Sequence, residues 1–312
     1  MIEQTLWVEK YRPRILDDCV IPDKLKKTLK GFVKKNEIPN IMFTGTQGTG
    51  KTTCAKALIR ELDAEYIHIN CSEASGKAMI EESVIPFAST ISIQNPDTPK
   101  FILCDECDYL TPHAQATLRG VIEQFSLTTR FIFTANYPER IIPALKSRCT
   151  HFDMSINKAD KPELLMQFYK RCANILQENS VTFEQKPLGI FIAKHFPDFR
   201  KIINELQSYS SASGSIDSGI LTLATDTIAN SLFPLLKDKD FDGCRKWVSE
   251  NLSSPEDVFT SLYNNLKDCV APHQQPEIIL ILAQYQDYAT RVANQQLNLM
   301  ACFVEIMSSL KQ

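Results

Sequence analysis

The segment Gly45-Thr46-Gln47-Gly48-Thr49-Gly50-Lys51-Thr52 constrains the fold of this 312-residue chain more than any other feature. It matches the phosphate-binding pattern G-x-x-x-x-G-K-T in full. A short apolar run, 38–44, precedes it, and a helical pattern, 51–62, follows it. Glycines let the backbone wrap closely around phosphate oxygens, and the helix after them directs its first amides at the same oxygens. The order strand, glycine loop, helix therefore predicts a nucleotide-binding α/β domain.

Two residues of the loop carry specific chemistry. Lys51 is placed to reach the β and γ phosphates of a bound nucleotide, and Thr52 is placed to ligate Mg²⁺. The other residues that we expect to line the phosphates are Gly48, Thr49, Gly50 and Thr53. The cofactors implied are ATP and Mg²⁺.

An acidic pair, Asp105-Glu106, ends the apolar run 100–104. Asp105 is predicted to hold Mg²⁺, directly or through water, and Glu106 to polarise the attacking water. A carboxylate beside water is what hydrolysis requires, so the pair favours hydrolysis over simple nucleotide storage. Asn136 ends a further apolar run and is expected to orient the water or sense the γ-phosphate; an ordinary strand-ending turn is the alternative.

Apolar runs and helical patterns alternate through the first half of the chain. The runs 66–70, 100–104 and 130–134 are predicted strands in addition to 38–44. Continuous apolar strands separated by helices are typical of a parallel sheet covered on both faces.

Beyond His151 the strands are expected to stop, and the patterns 158–179 and 185–209 predict helices. The small polar stretch 210–215 reads as a linker, and about five further helices are expected after it. We predict three domains, and their boundaries are 1–152 for the nucleotide-binding domain, 153–212 for a helical lid and 218–312 for a helical collar that oligomerises.

Composition limits the class of protein. Apolar residues make up 44% and charged residues 23%, as in ordinary globular proteins, and no apolar run is long enough to span a bilayer. The net charge of −3 argues against a general nucleic-acid binder, although a basic surface can still line an assembly. The N-terminus lacks an export signal, so a cytoplasmic protein is expected, in the host cytoplasm if the source is viral. In that reducing compartment the ten cysteines are expected to be free thiols. The pair Cys104 and Cys107 is expected to be structural.

Five motifs together resemble the AAA+ ATPases, and specifically sliding-clamp-loader subunits of the replication factor C small-subunit type. They are Trp7-Val8-Glu9-Lys10-Tyr11-Arg12-Pro13, the phosphate loop, Asp105-Glu106-Cys107-Asp108, Ser147-Arg148-Cys149 and Phe196-Pro197-Asp198-Phe199-Arg200-Lys201, with Asn136 at the sensor 1 position. The last motif is especially similar to bacteriophage clamp-loader large subunits. The resemblance spans residues 7–201, and the C-terminal third is similar only in being helical.

The resemblance implies an AAA+ domain with a parallel sheet, a small helical lid and an all-α collar. It implies that Val8, Glu9, Lys10, Tyr11 and Val20 form the adenine pocket. It also implies roles for two arginines outside the phosphate loop. Arg200 reaches ATP from the lid, and Arg148 faces the ATP site of a neighbouring subunit. Asp198 is the expected N-cap that places Arg200 in a first helical turn, and Pro143 is the expected start of the helix before Arg148. A surface salt bridge is the alternative for Arg148.

The helix after the acidic pair is expected to begin with Thr111 as N-cap and Pro112 at its first position. Gln115 and Arg119 then lie on one face. The resemblance implies that they relay between DNA, the acidic pair and the neighbouring subunit; an exposed polar face is the alternative. Lys77 is a candidate DNA-phosphate contact, with ordinary solvation as the alternative.

Two further segments are interpreted from their patterns. The lysines of 24–35 are read as the solvated face of an amphipathic helix whose other face carries Leu25 and Leu29. The apolar patch Ile85-Pro86-Phe87 is a candidate contact with the clamp.

The function implied is that of a clamp-loader ATPase in DNA replication, which binds ATP, holds a sliding clamp open and releases it when primer–template DNA triggers hydrolysis. The partners implied are other loader subunits, both copies of this chain and a distinct subunit, together with the clamp and the DNA; no membrane is implied. The alternatives are another AAA+ machine on DNA, such as a branch-migration motor or an initiator-type loader, and a structural subunit that binds ATP without hydrolysing it. A small-molecule P-loop kinase is a third alternative, for which the Ser-Arg-Cys motif has no use.

Overall fold

The computed structural model describes residues 6–73, 76–91, 98–221, 227–251, 255–289, 291–292 and 294–310. It divides into two compact units, Met1–Asp217 and Ser218–Gln312. Residues 1–5, where no export signal is expected, lie outside these ranges. The division between nucleotide-binding and lid domains falls inside the first unit and stays a prediction.

A five-stranded sheet with strand order β2-β3-β4-β1-β5 forms the centre of the first unit. Every pairing in this sheet is parallel, which confirms the predicted parallel α/β architecture. The strands are β1 (Ile41–Thr44), β2 (Tyr66–Asn70), β3 (Lys100–Asp105), β4 (Thr129–Ala135) and β5 (Thr150–Asp153). Because the strands are parallel, their carboxyl ends meet at one edge of the sheet, where α/β proteins place their ligands.

Both faces of the sheet are buried, because alternate residues of each strand point to opposite sides. Ile102, Phe131 and Phe133 join one apolar cluster. Phe43 and Leu103 join the cluster on the other face. Burial on both sides explains why the central strands read as continuous apolar runs.

Helices cover the sheet and extend beyond it. The helices of the first unit are α1 (Trp7–Lys10), α2 (Asp23–Lys35), α3 (Lys51–Glu61), α4 (Lys77–Met79), α5 (Ile85–Ala88), α6 (Pro112–Gln124), α7 (Pro143–Lys146), α8 (Lys161–Glu178), α9 (Gln185–His195) and α10 (Phe199–Ser213). A π-helical turn, Ile80–Val84, joins α4 to α5. Thr111 caps α6 by accepting a 3.2 Å hydrogen bond from the Ala114 amide, and Pro112 and Pro143 start α6 and α7, as predicted.

The expectation that strands stop at His151 is wrong. Strand β5 continues through Asp153 and pairs with β1, and β6 (Thr182–Phe183) pairs in parallel with β7 (Ser215–Ile216). Strand β5 lies at the edge of the sheet and three of its four residues are exposed, so it lacks an apolar run. The first strand begins at Ile41, because Pro39 has no N–H to donate to a ladder.

The predicted linker 210–215 is wrong as well, because α10 runs through Ser213 and Gly214 ends it with a φ of 75°. The serine hydroxyls donate back to helix carbonyls: Ser211 to Gln207 at 2.8 Å and Ser213 to Tyr209 at 2.8 Å. Local bonds of this kind satisfy serines inside a helix, although the same composition is common in loops. The predicted helix 185–209 is in fact two helices, which are separated at 196–198.

The second unit holds five helices among its described residues, as expected. They are Thr227–Lys237, Phe241–Asn251, Pro255–Cys269, Gln275–Ala289 and Gln295–Ser309. Their apolar sides form one core that includes Leu232, Trp247, Phe259, Leu282 and Phe303.

Two features bear on the class of protein. Cys104 and Cys107 are free buried thiols in the apolar cluster on one face of the sheet, and burial raises the pKa of Cys107, which disfavours its reactive thiolate form. Across the part of the chain that the structure describes, no group of three or more potential metal ligands is found, and no helix is long and apolar enough to cross a membrane.

The end of α10 gives a test of the fold. Gly214→Ala is expected to lower the free energy of unfolding by about 1 kcal/mol, because an L-residue with a Cβ is strained in the left-handed region. No atom beyond the neighbouring residues lies within 4 Å of the added Cβ, so the backbone strain is the whole effect. Gly31→Ala, inside α2 and equally open, is expected to raise it by roughly 0.5–1 kcal/mol, since glycine is a poor helix former. Urea unfolding followed by circular dichroism measures both; a rise in the free energy of unfolding for Gly214→Ala would contradict the left-handed helix end at Gly214, and a fall for Gly31→Ala would contradict its place inside α2.

Candidate nucleotide site

The candidate site is a cleft at the carboxyl edge of the sheet, between the phosphate loop and the helices α8 and α10. Residues from the phosphate loop, the acidic pair, the N-terminal segment and both helices line it. They include Val8, Tyr11, Val20, Gly48, Thr49, Gly50, Lys51, Thr52, Thr53, Asp105, Glu106, Asn136 and Arg200. The structure therefore brings together most of the nucleotide-binding residues expected from the sequence.

Lys51 begins α3, and its side chain is held inside the loop. The Nζ atom donates to the backbone oxygens of Gly45 at 2.9 Å and Thr46 at 2.8 Å. Burial lowers the pKa of Lys51 to about 8, although the carboxylates of Asp105, Asp108 and Glu106 partly offset this effect. A phosphate that replaced the two carbonyls would give the lysine an anionic partner and favour its charged form.

Asp105 ends β3 and receives hydrogen bonds from three neighbouring elements. Thr52 on α3 donates its hydroxyl to Oδ1 at 2.7 Å, Thr134 on β4 donates to the same oxygen, and His68 on β2 lies 3.2 Å from Oδ2. Burial alone would raise the pKa of Asp105, but the bonds with His68, Thr134 and Thr52 outweigh it and hold the pKa at about 2. The carboxylate is therefore ionised at every physiological pH.

Glu106 follows Asp105 in the left-handed region, with a φ of 56°. Its amide donates a 3.0 Å hydrogen bond to the Thr134 hydroxyl. A non-glycine residue in this region is held there by its surroundings and is enriched at functional sites. Thr134 thus contacts both residues of the pair: its hydroxyl donates to the Asp105 carboxylate and accepts from the backbone amide of Glu106.

Asn136 follows β4, and its backbone is anchored by a second acidic residue. The carboxylate of Asp108, which is buried, accepts from the amides of Asn136 at 3.3 Å and Tyr137 at 3.2 Å. The Asp-Glu-Cys-Asp motif therefore fixes the turn that carries Asn136 as well as the cleft itself.

The N-terminal segment lines one side of the cleft. Val8 on α1 contributes to it, together with Tyr11 and Arg12, which directly follow that helix. Glu9 and Lys10, which are also expected to bind nucleotide, are not among the residues that line the cleft, and their role stays a prediction. Glu9 instead accepts a 2.6 Å bond from Arg12, and the Lys10 ammonium lies 5.1 Å from the Tyr11 ring centre.

Helix α10, in the segment that is predicted to be the lid, contacts the phosphate loop directly. Asp198 is the N-cap of α10, as predicted, and accepts from the Lys201 amide at 3.0 Å. The Phe199 amide donates to the Gly48 carbonyl at 3.2 Å. A Cβ on Gly48 would lie 2.3 Å from Asp198 Oδ1, and its φ is +81°, so only glycine fits between loop and lid. Arg200, in the first turn of α10, lines the cleft as well.

Two residues on α8 and directly after it, which the sequence did not indicate, bind the N-terminal segment that lines the cleft. Arg171 on α8 donates to the carbonyls of Tyr11 at 2.5 Å and Asp18 at 3.1 Å. Asn179 donates to the Tyr11 hydroxyl at 2.7 Å. Phe168 and Phe199 also line the cleft, with ring centres 4.5 Å apart. No sequence pattern could have found Arg171 and Asn179, because their position depends on how the lid packs on the sheet.

Arg148 is separate from the cleft of its own chain and forms an ion pair with Glu123.

Gln115 is buried, which excludes the alternative that it belongs to an exposed polar helix face. Its amide nitrogen donates to the carbonyls of Leu110 at 3.0 Å and Arg140 at 3.1 Å, and its oxygen accepts from the Ile142 amide at 2.8 Å.

The remaining candidates lie on the surface. Arg119 is exposed, and Lys77 pairs with Glu81 at 2.7 Å one helical turn away. Within 85–87 only Pro86 is exposed, since Ile85 and Phe87 pack against the core. The lysine-rich helix α2 buries Leu25 and Leu29 and exposes most of its lysines, as predicted.

Comparison with known proteins identifies the class that this site defines. Residues 41–158 match the AAA family of ATPases associated with various cellular activities. Residues 160–222 match the AAA+ lid domain of sliding-clamp-loader large subunits. The fold and site are those of an AAA+ ATPase, an enzyme that binds and hydrolyses ATP.

Relatives define the family. The replication factor C small subunit of Archaeoglobus fulgidus is 37% identical over 71% of this chain and 69% of its own length. That of Aeropyrum pernix is 40% identical over 66% of this chain, and the match spans only 63% of that relative. The sliding-clamp-loader large subunit of Enterobacteria phage T4 is 30% identical over 97% of this chain and 96% of its own length. The chain belongs to the sliding-clamp-loader family of AAA+ ATPases.

The match to the phage protein extends the similarity beyond the motifs at residues 7–201 and into the C-terminal helices. Among solved structures, the RuvB Holliday junction branch migration motor of Thermotoga maritima superimposes with a TM-score of 0.55 at 16% identity, over 81% of this chain and 85% of that protein. At this identity the likeness concerns the fold alone.

The low pKa of Lys51 predicts a proton linkage. Near pH 8 about half of the free protein carries a neutral lysine, and bound triphosphate favours the charged form, so binding takes up protons and affinity falls from pH 7 to pH 9. Titration calorimetry with ATP at pH 8, in two buffers that differ in ionisation enthalpy, is expected to give uptake of about half a proton. Lys51→Arg, which stays charged, is expected to abolish it; no uptake by the unaltered protein would contradict the prediction.

Thr134 gives a second test of the site. Thr134→Val removes the hydroxyl that joins Asp105 to Glu106, and the ATP turnover rate is expected to fall about tenfold, or about 1.4 kcal/mol. Thr134→Ser keeps the hydroxyl and is expected to stay within about twofold of the original rate. Steady-state phosphate release measures both, and equal rates for the two variants would show that the hydroxyl does not position the pair.

Proposed function

We propose that this chain is an ATPase subunit of a sliding-clamp loader, and that its ATP site is completed by a neighbouring subunit. The observation that carries the proposal is the division of the site. The phosphate loop and the acidic pair line one cleft, whereas Arg148 lies outside that cleft and near the surface. An arginine that contributes charge to phosphoryl transfer can be supplied by another subunit, and one chain alone is then a poor ATPase.

Within the cleft, Lys51 binds the β and γ phosphates, Glu106 polarises the attacking water, and Asn136 orients that water or senses the γ-phosphate. The oxygens of Thr52 and Asp105 lie 2.7 Å apart, and hydroxyl and carboxylate oxygens are the ligands that Mg²⁺ prefers. These two residues would hold the metal ion, which would supply positive charge against the phosphates.

The adenine lies, in this proposal, between the N-terminal segment and the lid. Val8, Tyr11 and Val20 contact the base, and Arg200 reaches the phosphates from α10. The exposed guanidinium of Arg200 favours this role, since an arginine at the mouth of a cleft can exchange water for phosphate with a charge-assisted bond.

Arg148 acts in trans, where it neutralises charge on the phosphoryl group in the neighbour's cleft. Gln115 and Arg119 relay between DNA and the catalytic sites, and Lys77 contacts a DNA phosphate. The burial of Gln115 supports a role through the backbone at Arg140 and Ile142, and not through direct contact with DNA. DNA is recognised through its backbone and shape, without base sequence.

The assembly contains copies of this chain and a distinct subunit, held together by the collar 218–312, and acts on a clamp and primer–template DNA in the cytoplasm. ATP binding orders the ring-like assembly around an open clamp, DNA completes the catalytic sites, and hydrolysis releases the clamp. A branch-migration motor of RuvB type is less favoured, because the Ser-Arg-Cys motif and the lid match point to clamp loaders.

The direct test is the ATPase rate of the assembled complex with and without clamp and primer–template DNA. We expect the rate to rise at least about tenfold when both are present, since each completes the catalytic arrangement. Stimulation by neither would overturn the proposed function, and strand unwinding or translocation would favour the motor.

Glu106→Gln separates hydrolysis from nucleotide binding. Turnover is expected to fall at least about 100-fold, because the amide does not polarise water as the carboxylate does, while ATP affinity changes by less than about threefold. Fluorescent-nucleotide binding and phosphate release measure the two quantities. Glu178→Gln, an exposed carboxylate at the end of α8, is the matched control. Full turnover by Glu106→Gln would favour the subunit that binds ATP without hydrolysing it.

A further inference from the structure

The side chain of Arg148 is bound to its own chain through all three guanidinium nitrogens. Nε donates to Glu123 Oε1 at 2.8 Å, and Nη2 donates to the same oxygen. Nη1 donates to the Ala144 carbonyl at 2.7 Å and to the Ser147 hydroxyl at 3.4 Å. These contacts leave 29% of the Arg148 side chain exposed.

This arrangement competes with phosphate binding. The Nε–Nη2 edge of a guanidinium is one of those that bind a carboxylate or a phosphate in fork geometry, and Glu123 already occupies it. The carboxylate also cancels the charge of Arg148, and it would repel a γ-phosphate brought close to it. Arg148 therefore has to leave Glu123, or share it, before it serves a neighbour's nucleotide.

Glu123 lies next to the C-terminal end of α6, one helical turn after Arg119. The hydrogen bond from Arg148 is the main cause that lowers the pKa of Glu123, and the charge of Arg119 adds to it. The same carboxylate is therefore close to both arginines to which the proposed function gives a role.

Beside their apolar packing, two polar side-chain contacts of very different strength join helix α6 to the segment 140–148. Near its start, buried Gln115 binds the backbone of Arg140 and Ile142. Near its end, Glu123 binds Arg148 in an exposed ion pair, with 56% of the Glu123 side chain accessible. Buried polar networks are rigid, whereas exposed ion pairs contribute little and break easily. A small displacement of α6 would thus break the second contact and keep the first.

We propose that Glu123 is a positioning residue that latches Arg148 inside its own chain, and that displacement of α6 releases the arginine to the neighbouring nucleotide. The inference rests on the proposed role of Arg148 in trans. It adds a regulatory step: the latch suppresses ATP hydrolysis until DNA in the assembly shifts α6.

The test substitutes Glu123→Gln in the assembled complex and measures ATP turnover without DNA and with clamp plus primer–template DNA. The amide keeps the size of the side chain and removes the charge, so the DNA-independent rate is expected to rise about three- to fivefold. The DNA-stimulated rate is expected to stay within about twofold, because the latch is already open there. Glu178→Gln is expected to change neither rate, and a thermal-unfolding measurement verifies that both variants fold.

A double variant shows whether Glu123 acts through Arg148. In an Arg148→Ala background, Glu123→Gln is expected to have no effect on the DNA-independent rate, since no arginine remains to be released. A rise that persists in this background would overturn the latch.

The two proposals fail in different ways. If Arg148→Ala lowers turnover but Glu123→Gln leaves the DNA-independent rate unchanged or lower, the latch is overturned and the role of Arg148 in trans stands. If Arg148→Ala leaves turnover unchanged in the assembled complex, the role in trans is overturned, and the latch with it.

Discussion

Asp105 is bound by hydrogen bonds from three elements that are distant in sequence and adjacent in the sheet. Strand β3 carries it, α3 contributes Thr52, β4 contributes Thr134 and β2 contributes His68. The strand order places β3 between β2 and β4, so the parallel register delivers these side chains to one edge. Burial alone would raise the pKa of Asp105, and these bonds outweigh it and hold the pKa at about 2, so they favour the ionised carboxylate. The catalytic half of the site therefore depends on the sheet being assembled correctly.

The phosphate loop depends in turn on the lid. The contact between Gly48 and Asp198 leaves no room for a side chain, and Phe199 binds the loop backbone. Arg171 and Asn179 attach α8 to the N-terminal segment, so the lid contacts both ends of the cleft. The phosphate loop, the N-terminal segment and the lid are consequently positioned together, which is what a site that reports nucleotide occupancy through lid position requires.

The sequence predicted the parts of the molecule whose chemistry is local. The phosphate loop, the Asp-Glu pair, the caps at Thr111 and Asp198 and the parallel sheet each follow from residue type and spacing, and the structure has all of them. It misjudged β5, whose edge position leaves polar residues in a strand, and the serines at the end of α10, whose hydroxyls bond within the helix. The sequence could not predict the contacts of Thr134, His68 and Arg171. Their partners are set by strand register and by lid packing, and not by spacing along the chain.

The central claim is that one chain supplies the phosphate loop and its neighbour supplies Arg148. It is tested most directly by mixing two inactive variants, Lys51→Ala and Arg148→Ala, during assembly of the complex. At an interface where the Arg148→Ala chain contributes the cleft and the Lys51→Ala chain contributes the arginine, the site is complete. We expect the mixed complex to regain DNA-stimulated ATP turnover that neither variant has alone. Full turnover by the Arg148→Ala complex alone, or no recovery in the mixture, would contradict it.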